Sequence, residues 1–164
     1  MSGNIVTDKT DCCDRVFSDF QFQSIRIAQP PARKGVYVVR VSRMGRPLKE
    51  IIEQGTQIVQ RLNWPLVGRK IMNRTGRLER VNLCPIVYLG SAGTQNTSKH
   101  TLKGRYKDFA GRHTAMYPLW LLLYFGWEIE YGWLIDESPA ITEKNLKHRY
   151  KELHDGKLPA LVHR

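Results

Sequence analysis

The sequence predicts a single α/β domain of the α+β kind, with three short strands and four helices. Three observations carry this. The runs GVYVVRV (35–41) and IVYLG (86–90) are β-branched, short and bounded by turn residues. The run WEIEYGWLI (127–135) alternates strictly, as a half-buried strand does. Between and after them lie segments whose apolar residues recur at helical spacing. At 164 residues the chain has the length of one domain.

In chain order, residues 1 to about 20 carry no period and read as a loose or weakly helical arm, part of an N-terminal extension over 1–32. QPPARKG (29–35) is turn punctuation that leads into the main domain, 33–164. In GVYVVRV, Tyr37, Val39 and Val41 share one face, because side chains alternate along a strand. LKEIIEQGTQIVQRL (48–62) spaces Ile51, Ile52, Ile58, Val59 and Leu62 as a helix does. Pro47 suits its opening, and NWP ends it. From 66 to 83 the pattern is poor, and NRTG (73–76) predicts a hairpin turn.

Ser98 is the expected cap of a helix over about 99–111. AMYPLWLLLYF (115–125) predicts an almost wholly apolar helix over about 114–125, with Pro118 in its first turn. In the last strand Trp127, Ile129, Tyr131, Trp133 and Ile135 face one way, as on a half-buried strand. Glu128 and Glu130 take the solvated side, and Trp120, Trp127 and Trp133 are expected in the core. Ser138-Pro139 opens the final helix and Gly156 closes it.

Lys and Arg number 26 against 15 acidic residues, a net charge of +11. Such an excess favours polyanionic partners, of which nucleic acid is the commonest. The segment 43–83 holds nine basic residues against three acidic ones, more than half of that excess. Cys12, Cys13 and Cys84 are odd in number and lack C-x-x-C spacing, which favours a reduced, cytoplasmic setting. No apolar run reaches the roughly 20 residues of a membrane span, so no membrane partner is expected.

Two charges fall on apolar stripes. Arg105 shares a helix face with Leu102 and Phe109, and Glu143 lies one turn before Leu146. An inward charge needs water, a counter-charge or a metal. Snorkelling at the rim or an Arg105–Glu143 ion pair would satisfy both; so would a site for phosphate and metal.

The residues KGVYVV, PIVYLGSA and LKGRYKDF, followed by a helix with an early glutamate, resemble the GIY-YIG nuclease superfamily over about residues 33–160. Gly35-Val36-Tyr37 matches the first tripeptide and Tyr88-Leu89-Gly90 the second. Leu102 to Arg105 matches the L-x-x-R signature, and Glu143 the glutamate. The basic segment 43–83 then stands as an insertion between the first two core strands.

The resemblance implies a small, mainly antiparallel three-stranded sheet flanked by helices. It implies a divalent-metal-dependent DNA endonuclease using Mg²⁺ or Mn²⁺. Tyr37 would be the general base, Arg105 the phosphate clamp and Glu143 the metal ligand, with Tyr88 and His113 in support. Lys103, Arg112, Arg69, Lys70, Arg74, Arg77 and Arg80 are the expected DNA-contacting cations. Double-stranded DNA is the expected partner, and a homodimer is compatible with it. A non-catalytic nucleic-acid-binding module on the same scaffold is the alternative.

Overall fold

A computed structural model gives the fold, and residues 11–63, 65–80, 84–93, 100–111 and 116–162 are described. The elements are α1 (Asp11–Val16), β1 (Gln21–Ser24), β2 (Gly35–Arg43), α2 (Leu48–Arg61), α3 (Pro65–Arg80), β3 (Ile86–Ala92), α4 (Leu102–Gly111), α5 (Met116–Tyr124), β4 (Glu128–Ile135) and α6 (Pro139–Leu153). The α+β class holds. The sheet has four strands rather than three, antiparallel throughout, in the order β1-β4-β2-β3. The fourth strand, QFQS, escaped notice because it is polar and too short to show a period. Phe22 anchors it: its ring lies over Gly132 and under the Arg40 guanidinium, 3.6 Å from the ring centre.

The most apolar strand, β2, runs through the middle, with Val36, Tyr37, Val38 and Val39 all buried. Paired residues of an antiparallel sheet point to the same side. Tyr37, Val39, Tyr88, Gly90, Tyr131 and Trp133 therefore share one face. Val36, Val38, Leu89, Ser91 and Gly132 share the other. α4 covers the first face through Phe109, which packs on Tyr37 and Tyr88. α6 covers the second, where Glu143 accepts a hydrogen bond from Ser91. On that second face the expected strand charges are paired rather than merely solvated. Arg40 meets Glu130 at 2.6 Å, and Arg43 meets Glu128 at 2.5 Å.

The expected hairpin at NRTG is a helix instead. α3 runs through Asn73 to Gly76 and packs against α2. Gly68, Thr75 and Leu78 are buried along it. A Cβ on Gly68 would sit 1.7 Å from Val59 Cγ1, so only glycine allows this approach. The Thr75 hydroxyl donates to the Ile71 carbonyl at 2.9 Å and adds no unpaired group to the helix. Tertiary packing has overridden turn propensity.

Other departures are local. Thr101 caps α4, its Oγ1 accepting from the Gly104 N–H at 3.1 Å, while Ser98 lies outside the described residues. Ser138 occupies the cap position of α6 without a side-chain bond, and Pro139 follows as expected. Trp127 and Trp133 are core residues, but Trp120 is 58% exposed, beside exposed Tyr117 and Tyr124 on α5. The described part of the N-terminal arm is anchored: Cys13, Phe17 and Phe20 join the core cluster. Among the described residues no helix is long and apolar enough to cross a membrane.

Candidate active site

The two signature tyrosines meet because β2 and β3 pair directly. Tyr37 lies opposite Gly90, and Tyr88 opposite Val39. Their rings stack at 6.0 Å and 18°. The Tyr37 and Tyr88 hydroxyls are hydrogen-bonded to each other. Tyr131 from β4 stacks on the other side of Tyr37 at 5.5 Å and 15°. A Cβ at Gly90 would sit 2.6 Å from the Tyr37 ring and hydroxyl. The glycine makes room for its neighbour's phenol.

Burial controls the acidity of these groups. Tyr37 is 4% exposed, and desolvation lifts its hydroxyl well above the ordinary tyrosine value, with Tyr88 and Tyr131 adding to the rise. Desolvation likewise lifts Tyr88 and Tyr131. The positive charge of Arg105 acts against the rise at all three. Arg105 comes from α4, between the buried anchors Leu102 and Phe109. Its Nε is buried without a hydrogen-bond partner among the described residues, as is the Tyr131 hydroxyl.

Glu143 arrives from α6, on the opposite sheet face from Arg105. Both helices reach the edge strand β3, and Tyr88 feels both charges: Glu143 makes its hydroxyl harder to ionise and Arg105 makes it easier. The ion pair between Arg105 and Glu143 does not form. Glu143 Oε1 instead takes the Lys147 ammonium at 2.5 Å, and Oε2 takes the Ser91 hydroxyl. The carboxylate borders an open groove of about 490 Å³ with Lys144, Lys147 and Lys151 along it. These lysines recur at i, i+3 and i+7 on one helix face, a basic stripe that TEKNLKHRYK displays and that charge counting passed over.

The remaining expected cations divide. Lys103, Arg69 and Lys70 are exposed, and Arg77 is half-buried. Arg74 is 9% exposed, not part of the outer surface; burial and the nearby Arg77 make its guanidinium easier to deprotonate than usual, and its charge acts on Tyr88. The side chain of Arg80, and all of Arg112 and His113, lie outside the described residues. Tyr131, Ser91 and Lys147 are neighbours that sequence reasoning did not assign to the site. For Tyr131 the signal was present, since the inward face of WEIEYGWLI carries it.

A separate group lies near the N-terminal helix. Cys13, Cys84 and His154 gather their ligand atoms within 4.8 Å, and the hydrogen bond shared with Cys13 brings the Cys84 thiol down to about 6. The chain matches no protein-family model, no curated protein and no solved structure.

Proposed function

We propose that the chain is a divalent-metal-dependent endonuclease that hydrolyses phosphodiester bonds in DNA, as the resemblance to GIY-YIG nucleases implies. Arg105 carries the reading. Its buried Nε has no partner among the described residues, and it faces a hydrogen-bonded pair of phenols. A planar guanidinium fork recognises phosphate through paired hydrogen bonds, which a lysine reproduces poorly. Its charge also opposes the burial that keeps Tyr37 and Tyr88 protonated.

The oxygen donors at the edge of β3 fit Mg²⁺ or Mn²⁺ in kind. Such ions take one or two carboxylates and complete the shell with water and phosphate. Glu143 would hold the ion, with Lys147 moving off Oε1 to make room. When bound, the ion supplies charge neutralisation at the phosphate and a more acidic water. Tyr37 would then take a proton through water, Tyr88 would hold the Tyr37 hydroxyl in place, and the lysine stripe on α6 would follow the backbone.

A non-catalytic nucleic-acid-binding module is the second reading. Two observations favour it: both Glu143 oxygens are engaged, and burial holds Tyr37 in its protonated form. A plasmid-nicking assay separates the two. Wild-type protein with Mg²⁺ or Mn²⁺ should convert supercoiled DNA to nicked or linear forms, and Glu143→Ala and Arg105→Ala should not. Duplex binding by the wild type without any cleavage would establish the second reading instead.

A further inference from the structure

Cys13 on α1, Cys84 just before β3 and His154 at the end of α6 come from three distant parts of the chain. Cys13 Sγ lies 3.4 Å from Cys84 Sγ and 3.9 Å from His154 Nε2. The sulfurs are too far apart for a disulfide, whose bond is about 2.05 Å. They are at the spacing a shared metal would impose. Zinc bonds of about 2.3 Å to sulfur and about 2.0 Å to nitrogen, at tetrahedral angles, place sulfurs about 3.8 Å apart and sulfur about 3.6 Å from nitrogen.

The imidazole is prepared for this role. His154 Nδ1 lies 2.8 Å from the Tyr150 carbonyl oxygen, which can only accept. Nδ1 therefore carries the proton, and Nε2 offers its lone pair towards the thiols. A carbonyl that fixes the tautomer through the far nitrogen is the usual support of a metal-bound histidine. Stacking on Tyr150 at 3.8 Å and 9° holds the ring plane. Tyr150 and Cys13 are almost wholly buried, and Cys84 nearly so.

A pair of buried cysteines packed as small apolar groups would account for the burial. A thiol hydrogen bond from Cys13 would account for the turn of Nε2 towards them, and what goes further is the third donor, Cys84, within 4.8 Å of both. Two sulfurs and an imidazole are soft and borderline donors, suited to zinc and not to the hard ions expected at Glu143.

We propose that Cys13, Cys84 and His154 bind one Zn²⁺, with a water in the fourth position, and that the ion ties α1 to β3 and α6. The site shares no residue with the candidate active site and stands or falls apart from the nuclease reading.

The test uses the full chain without a histidine tag, its thiols kept reduced. Co²⁺ is titrated in as a spectroscopic probe, and bound Zn²⁺ is measured by mass spectrometry. One metal per chain is expected, with thiolate-to-cobalt charge transfer and the strong visible bands of a tetrahedral site. Cys13→Ser and His154→Ala should each weaken binding about tenfold or more, by analogy with losses seen when ligand support is removed. Metal removal should speed amide exchange in α1 and leave β2 unchanged.

Three results overturn the proposal. The reduced wild-type chain takes up no stoichiometric metal; both variants bind as the wild type does; or the protein isolated from cells carries a Cys13–Cys84 disulfide. The wild-type titration decides the matter even if a variant fails to fold.

Discussion

Replacing Arg105 by methionine tests whether the guanidinium is held for a ligand or for the fold. Methionine keeps most of the aliphatic stem and removes the buried Nε that has no hydrogen-bond partner among the described residues. An unsatisfied buried polar group costs about 1–3 kcal/mol. Arg105 is only half-buried, so the lower end applies, and the variant should gain about 1 kcal/mol. With a urea m-value of about 2 kcal/mol/M, the unfolding midpoint should rise by about 0.5 M at unchanged slope. The same variant should lose cleavage and one phosphate contact, which flattens the salt dependence of duplex binding by about 0.9 in logarithmic slope. The phenols should become still harder to ionise in a spectrophotometric titration, because the cation that opposes their rise is gone. A midpoint that falls by about 0.5 M or more, with DNA binding intact, would show a structural arginine and refute the reasoning.

Lys147→Ala should free Glu143 Oε1 and tighten Mn²⁺ binding several-fold in electron paramagnetic resonance titrations; unchanged affinity would remove Glu143 as the ligand. Gly90→Ala forces a Cβ to within 2.6 Å of the Tyr37 ring and should cost about 1–3 kcal/mol in urea unfolding, with altered near-ultraviolet dichroism. Stability should fall at alkaline pH. Tyr37, Tyr88 and Tyr131 have raised folded-state values, whereas unfolded tyrosine ionises near pH 10. Their contribution is full below about pH 10 and is lost as pH rises through the folded values, by up to about 1.4 kcal/mol per pH unit for each. Tyr131→Phe should flatten that limb, and an unchanged pH dependence would contradict it. Arg69→Gln with Lys70→Gln should weaken duplex binding at low salt without loss of stability, whereas Arg74→Gln should also lower the urea midpoint, since only Arg74 is buried.

The strands and most helices were legible because their signals are local. GVYVVRV and WEIEYGWLI declare themselves by composition and alternation, and Asn63, with φ at 53°, ends α2 where NWP said it would. α3 was illegible because NRTG is a turn by propensity, whereas the helix that runs through it packs on α2, where Gly68 meets Val59. The pairing of Tyr37 with Tyr88 could be anticipated once two strands were placed side by side. The partners of Glu143 could not, since Ser91 is called to it by the packing of α6 on β3 and nothing in the neighbouring residues signals that. The Cys–His group was hidden for the same reason: its members are far apart in the chain, so spacing rules have nothing to read.

The fit of Tyr37 against Gly90 has a consequence for how the strands find each other. In a simple hairpin a tight turn sets which residues face across the pair. Here two helices intervene between Arg43 and Ile86, and no turn fixes the alignment. A slip of one residue would send every side chain of the moving strand to the wrong layer. It would also set Tyr37 against Leu89 or Ser91, either of which puts a side chain where the ring now lies. The phenol and the vacant glycine thus act as key and keyway.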